Sequence, residues 1–109
     1  MIRENYIFRR LYRRGKSIVS PSIVLYYFKA KGRSGNRLGI TTTKKIGKAH
    51  RRNRARRVIL ESYRLLEHRV GVGYDFVIVA RQRAADVKMQ VVQRELENLL
   101  SKMGGIKHH

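Results

Sequence analysis

The sequence of 109 residues contains no cysteine, no tryptophan, a single proline and only seven acidic residues. The absence of cysteine excludes a disulfide framework and any metal site that uses thiolate ligands. No segment approaches the roughly 18 consecutive apolar residues that a transmembrane helix requires. The N-terminal stretch MIRENYIFRR also lacks the apolar segment of a secretory signal peptide. These absences favour the cytoplasm as the compartment.

Positive charge is abundant, because 26 lysines and arginines leave a formal net charge of +19. Self-repulsion of this size destabilises an isolated compact chain, and a polyanionic partner relieves it. Nucleic acid is the favoured partner. A membrane surface is a weaker candidate, because the charge is not confined to one amphipathic helix. With 42% hydrophobic residues, the chain has enough apolar material for one core. We therefore expect a single domain over residues 1–109, with a frayed tail from about residue 104.

The apolar periodicity predicts three helices and three strands. The helices are expected over about residues 4–14, from residue 49 or 50 to about 70, and after Asp86, which is expected to act as an N-cap. The strands are expected over residues 22–29, 37–43 and 75–80. Because the last of these is a continuous apolar run, it is typical of a strand buried on both faces, often in a parallel sheet. The order αββαβα indicates a small α/β (or α+β) two-layer sandwich.

The most informative segment is a basic run that begins at Lys44 and meets no acid until Glu61. Placed on a helix, its C-terminal part separates into an apolar face and a polar arc. The apolar face contains Ala55, Val58, Ile59, Ser62, Leu65 and Leu66. The polar arc contains Arg52, Asn53, Arg56, Arg57 and Arg64. Because the helix predicted from residue 49 or 50 to about 70 is the second along the chain, we name it α2 and this arc the α2 arc.

The α2 arc could be an ordinary solvated face, but its arginines lack acidic partners four residues away near its start, so their mutual repulsion is uncompensated. Arginine also suits forked contacts with phosphate, which favours binding. The role of Asn53 stays open. Its amide could bond RNA or a metal-bound water, or it could be a surface residue near the helix start.

Three motifs together resemble the bacterial ribonuclease P protein subunit over nearly the whole chain. The first is KKIGKA at residues 44–49 followed by RNRARR at residues 52–57. The second is the Phe8-x-x-x-Tyr12-x-x-Gly15-Lys16-Ser17 pattern, and the third is GYDFVIVAR at residues 73–81. The resemblance implies the small partner of a large catalytic RNA, in a complex that removes the 5′ leader from precursor tRNA. It also implies a left-handed βαβ crossover, against the usual right-handed rule.

The resemblance implies two RNA-binding surfaces and a monomer within the ribonucleoprotein. The catalytic RNA is expected to contact Lys44, Lys45, Lys48, Arg52, Asn53, Arg54, Arg56, Arg57 and Arg64. A cleft with Phe8, Tyr12, Lys16 and Tyr26 is expected to hold the leader, because unpaired bases stack on aromatic rings. From spacing alone, Phe8 and Tyr12 fit core packing equally well. Leu60 falls within the α2 arc where relatives carry a basic residue, so no RNA contact is expected from it.

A catalytic centre on this chain is not expected, because its acidic residues and histidines form no convergent set. His50 and His68 lie eighteen positions apart, near opposite ends of one predicted helix. We therefore expect neither catalytic residues nor a metal site here, and place the catalytic Mg²⁺ on the RNA subunit. Two alternatives remain at this point, a structural ribosomal protein and a nuclease that acts without RNA.

Overall fold

The computed structural model describes residues 5–30, 32 and 35–106, with side chains from residue 8 onward. Within this part of the chain there are three α-helices and four β-strands. The helices are α1 (Asn5–Arg14), α2 (Ala49–Leu66) and α3 (Met89–Lys102). The strands are β1 (Lys16–Val19), β2 (Ile23–Lys29), β3 (Arg37–Thr41) and β4 (Tyr74–Ala80). None of the helices is long and apolar enough to cross a bilayer.

The four strands form one mixed sheet in the spatial order β1-β2-β4-β3. Strand β4 lies in the interior, antiparallel to β2 and parallel to β3. The expected burial of β4 is confirmed, whereas its expected parallel pairing holds for one neighbour only. Helix α2 connects β3 to β4, which makes a βαβ unit whose handedness stays a prediction. The predicted mixed α/β sandwich is confirmed.

Helices α2 and α3 cover the first face of the sheet and enclose the main core. Ala55 and Ser62 of α2 are fully buried, and the Ser62 hydroxyl donates to the Val58 carbonyl at 2.8 Å. These small residues let α2 approach the sheet closely. The predicted apolar face of α2 is wrong at Leu65, which is 50% exposed. Tyr63, which was not predicted to lie on this face, is only 4% exposed.

Helix α1 covers part of the second face and encloses a smaller core formed by Leu11 and Val77. The chain passes from α1 into β1 through Gly15, whose amide donates to the Leu11 carbonyl at 2.9 Å. A β-carbon at this position would lie 2.6 Å from the Leu11 carbonyl oxygen and 2.8 Å from that of Tyr27. Only glycine fits here without displacing backbone.

Strand β1 was not predicted, so the order is αβββαβα rather than αββαβα. It is a four-residue edge strand in which Ile18 is half-buried and Val19 exposed, too short for an alternating pattern. This segment is a strand because it pairs with β2, where Lys16 lies opposite Tyr27.

Several element ends also differ from the predictions. Strand β3 ends at Thr41, and α2 ends at Leu66 before a 3₁₀ turn over Glu67–Arg69. Asp86 does not cap α3, because the helix begins at Met89 and Lys88 occupies the N-cap position. The Asp86 carboxylate instead accepts hydrogen bonds from Arg51.

The expected frayed tail is packed as far as Ile106. That residue is buried and pairs with Val70 in an isolated β-bridge. The Gly105 amide donates to the Leu100 carbonyl at 2.9 Å, which holds the end of the described chain against α3.

The turn between β1 and β2 is fixed to α3 by the carboxylate of Glu95. Its two oxygens accept hydrogen bonds from the Ser20 hydroxyl at 2.7 Å, the Ser22 hydroxyl at 2.7 Å and the Ser22 amide at 2.8 Å. Burial raises the pKa of Glu95, but these hydrogen bonds and the nearby Arg83 charge outweigh it, so the pKa lies below its ordinary value.

Candidate RNA interface

The aromatic cleft consists of Phe8 and Tyr12 on α1 and Tyr26 on β2. Phe8 and Tyr26 pack, half-buried, against the small core under α1. Tyr12 is 46% exposed, and its ring meets that of Tyr26 edge to face. The structure therefore brings these three predicted residues together. Phe8 therefore packs against the core, as one of the two interpretations predicted, whereas the Tyr12 ring stays open to solvent.

The fourth residue predicted for this cleft, Lys16, lies elsewhere. Directly opposed residues of paired strands point to the same face of a sheet, and Lys16 is opposite Tyr27. Tyr27 packs against the main core, on the other face from Tyr26. Lys16 lines a separate depression beside Tyr27 and Tyr74. The register therefore separates Lys16 from the aromatic cleft.

The α2 arc points away from both cores. Arg56, Arg57, Arg64 and Asn53 are exposed and Arg52 is half-exposed. No carboxylate within residues 5–30, 32 and 35–106 forms an ion pair with an arginine of the arc. Arg56 makes one long contact, 3.4 Å from its Nη1 to the Ile40 carbonyl on the edge strand. The arc is thus an array of uncompensated cations beside β3.

Arg54 and Arg51 are turned in a different direction, toward the segment that precedes α3. The guanidinium of Arg54 donates to the carbonyls of Ala85 at 2.8 Å and Val87 at 3.0 Å. Arg51 donates to both carboxylate oxygens of Asp86, at 2.6 and 3.0 Å. This hydrogen bonding lowers the pKa of Asp86. Arg54, which was predicted to bind RNA, therefore also holds α2 against the preceding segment of α3.

The predicted lysines occupy the turn that leads into α2. Lys44 and Lys45 belong to a 3₁₀ turn, and Lys48 has an extended backbone at the N-cap position. All three lysines are exposed, while Ile46 between them is buried in the main core. The buried isoleucine fixes the turn, and the lysine side chains project into solvent around it.

Two arginines that follow β4 join the same surface and were not predicted as site residues. Arg81 and Arg83 line a depression of about 510 Å³ together with Lys45 and Val79. Val79 also packs against the small core below the aromatic cleft. The depression therefore connects the aromatic cleft to the lysine turn.

Strand topology explains this juxtaposition. Because β3 and β4 are parallel, their carboxyl ends lie at one edge of the sheet. The segments that follow these two strands are therefore neighbours, and the Gln82 amide donates to the Lys45 carbonyl at 2.8 Å. The sequence could have indicated Arg81 and Arg83, because both follow directly after the apolar run over residues 75–80.

Comparisons with known proteins identify the family. The family model described as Ribonuclease P matches residues 1–104. The ribonuclease P protein component of Clostridium botulinum is 45% identical over 104 residues, which cover 94% of this chain and 93% of that protein. The protein component of Clostridium acetobutylicum is 41% identical, with 94% of this chain and 87% of that protein covered.

Solved structures agree with this assignment. The RNase P protein of Staphylococcus aureus superposes with a TM-score of 0.86 at 31% identity, covering 97% of this chain and 96% of that one. The RNase P protein of Thermotoga maritima gives a TM-score of 0.82 at 30% identity, with 93% and 94% covered. The chain therefore belongs to the ribonuclease P protein family.

Proposed function

We propose that this chain binds the catalytic RNA subunit of ribonuclease P through the α2 arc and the lysine turn, and the 5′ leader of precursor tRNA through the aromatic cleft. The observation that supports this most directly is the continuous surface from the cleft, past Val79 and Arg81, to Lys45. Aromatic rings and cationic side chains lie along one path on this surface. A single strand can follow that path with its bases on the rings and its backbone on the cations.

The α2 arc has the chemistry for a structured RNA partner. Arg56, Arg57 and Arg64 are exposed and have no carboxylate partner within the described ranges. Each phosphate that they neutralise releases condensed counterions, which makes assembly favourable and dependent on salt. Arginine can also place two parallel N–H donors on one phosphate.

The aromatic cleft has the chemistry for an unpaired strand. A base that stacks on an aromatic ring gains about 1–3 kcal/mol, with little dependence on its identity. The edge-to-face contact with Tyr26 supports the exposed Tyr12 ring on one side. Bases of different leaders can therefore use the same ring.

The chain acts in this proposal by binding and positioning, and the chemical step belongs to the RNA subunit. Among the described residues, no three of His, Cys, Asp or Glu converge in a set that could hold a metal ion. The assignment of catalytic Mg²⁺ to RNA phosphates is part of this proposal. The cations of this chain reduce repulsion between the two RNAs, and the cleft fixes the leader so that the scissile bond is oriented for cleavage.

Family membership removes the alternative of a structural ribosomal protein, because the match to ribonuclease P proteins covers residues 1–104. A nuclease that acts without RNA stays testable with the purified chain. Such an activity needs a convergent set of acids, bases or metal ligands, and cleavage of precursor tRNA by RNA-free protein at the mature 5′ end would establish it.

The decisive experiment reconstitutes the chain with the RNA subunit and measures equilibrium affinity for precursor tRNA with and without its leader. We expect the leader to increase affinity only when the protein is present. Equal affinities for the two substrates would contradict leader binding. Failure of the protein to bind the RNA subunit at moderate salt would contradict the assignment of the α2 arc.

A further inference from the structure

The outer surface of α1 carries four arginines that neither proposed RNA contact uses. Arg9, Arg10, Arg13 and Arg14 are all exposed and line one shallow depression of about 490 Å³. With Phe8 as reference and about 100° per residue, they span about 100° to 240° of the helix circumference. The buried Leu11 lies near 300°, and the exposed cleft residue Tyr12 lies near 40°. We call these four residues the outer arginine face of α1.

Nothing in the described part of the chain neutralises the outer arginine face. No hydrogen bond or ion pair joins any of its four side chains to another described residue, and α1 has no acid in its first turn. Arg9 and Arg13 are four positions apart, as are Arg10 and Arg14, and like charges at this spacing destabilise a helix. A bound anion would convert this repulsion into attraction.

The outer arginine face is not an extension of the α2 arc, because α1 and α2 lie on opposite faces of the sheet. It is instead adjacent to the aromatic cleft, since α1 forms one wall of that cleft. Arg9 and Arg13 lie about 60° and 100° from Tyr12 around the helix. A strand that stacks on Tyr12 and leaves the cleft across α1 therefore meets these two arginines next.

The curvature of this path selects the kind of nucleic acid. A helix is only about 10–12 Å across, whereas duplex nucleic acid is stiff over a persistence length of about 50 nm for DNA. A duplex cannot bend from the cleft over the outer surface of α1, but a single strand can. The four charges form no base-reading pattern, which suits phosphate contacts independent of sequence.

We propose that the outer arginine face binds phosphates of leader nucleotides that extend beyond the aromatic cleft, so that affinity for precursor tRNA rises with leader length. This inference rests on the proposed binding of the leader in the cleft. The ligand is single-stranded RNA, contacted through its backbone. Contact with these distal nucleotides adds affinity that a leader confined to the cleft does not have.

The test uses the reconstituted holoenzyme and precursor tRNAs with leaders of about 4 and about 16 nucleotides, which bracket common single-strand site sizes. The variant is Arg9→Gln/Arg13→Gln, because glutamine removes the charge and is a good helix former. The matched control is Arg94→Gln/Lys102→Gln, which removes two exposed charges from α3. A second variant, Arg9→Lys/Arg13→Lys, keeps the charge.

In the unmodified holoenzyme we expect the long leader to bind more tightly than the short one. The glutamine variant should lose about threefold to tenfold in affinity for the long leader at low salt, with the slope of log K against log salt reduced by about 0.7 per lost phosphate contact. Its affinity for the short leader and for the RNA subunit should match the unmodified protein. The control and the lysine variant should retain the length dependence.

Three results would overturn this inference. An equal loss with both leaders would place the arginines against another part of the substrate, and weaker assembly would place them against the RNA subunit. An affinity that does not depend on leader length in the unmodified holoenzyme would remove the effect itself. Failure of the proposed function is a separate result, in which the short-leader and leaderless substrates bind equally.

Discussion

Tyr12 on α1 and Tyr26 on β2 meet edge to face, with ring centroids 4.8 Å apart and ring planes at 77°. The contact joins a helix to a strand across the second face of the sheet. Because Tyr26 already restricts the Tyr12 ring, a base that stacks on it immobilises less additional side-chain freedom. The exposed Tyr12 ring is thus restrained by its neighbour even without a ligand.

Substitution of Tyr12 by leucine should selectively weaken binding of the leader. We expect Tyr12→Leu to lose about 1–3 kcal/mol of affinity for precursor tRNA that carries a leader, because one stacked base loses its ring. Equilibrium binding to the holoenzyme measures this. Tyr27→Leu is the control, since Tyr27 lies in β2 beside Tyr26 but packs on the opposite face. Equal losses with leaderless tRNA would contradict the prediction.

Arg54→Ala should destabilise the folded chain. The substitution removes two charge-assisted hydrogen bonds to the Ala85 and Val87 carbonyls, and we expect a loss of about 1–2 kcal/mol in the free energy of unfolding. Urea denaturation of the RNA-free protein measures it. Arg57→Ala is the matched control, because Arg57 is exposed on the same helix and contacts no described polar group. Equal stability of the two variants would show that the carbonyl contacts contribute little.

Arg56→Ala and Arg57→Ala should weaken assembly with the RNA subunit. Each lost phosphate contact reduces the slope of log K against log salt by about one, so the deficit is largest at low salt. Assembly constants measured over a salt series test this. Arg94→Ala, on exposed α3 surface, controls for net charge, and a slope unchanged in the α2 variants would exclude these arginines from the interface.

Leu60→Arg should strengthen assembly at a small cost in stability. Leu60 is half-buried against the main core and borders a depression beside Leu38 and Arg64. An arginine at this position can cover the same apolar surface with its stem and add a cation to the α2 arc. We expect the salt slope to steepen by about one and the unfolding free energy to fall by about 1 kcal/mol. Leu60→Gln, which adds no charge, is the control.

Glu95→Gln should reduce stability in a manner that depends on pH. Because the folded-state pKa of Glu95 is lowered, ionisation of its carboxylate stabilises the fold above the unfolded pKa of about 4.3, and this stabilisation disappears as pH falls through the lower folded pKa. We expect the difference in unfolding free energy between the unmodified chain and Glu95→Gln to be full at pH 7 and to shrink in acid.

Thermal unfolding of both proteins between pH 7 and about pH 3 measures this difference. Glu61→Gln controls for the loss of one carboxylate, since Glu61 is exposed and makes no hydrogen bond or ion pair within the described ranges. A difference that stays constant across the pH series would assign the effect to side-chain shape rather than to ionisation.

The elements with a strong local pattern were predictable from the sequence. β-branched and aromatic residues marked β2, and a continuous apolar run marked β4. Strand β1 could not be recognised in this way, because its four residues become a strand only by pairing with β2 through the turn at residues 20–22. The sequence of β1 alone does not indicate that it pairs with β2.

Prediction of the candidate site had a similar limit. The α2 arc followed from helix periodicity, so the exposure of Arg56 and Arg57 could be anticipated. The second role of Arg54 could not, because its carbonyl partners lie 31 and 33 positions away in the chain. Lys16 shows the same effect, since its side of the sheet depends on a strand register that the motif does not specify.

The absence of a β-carbon at Gly15 affects the shape of the aromatic cleft, because α1 and β2 approach each other closely there. The spacing between α1 and β2 is the width of that cleft, and here it is limited by the contact of Gly15 with the Leu11 and Tyr27 carbonyls. A single methyl group at this position would act as a wedge and tilt α1 away from the sheet. The separation of α1 from β2 is therefore limited at Gly15 by the side chain that glycine lacks.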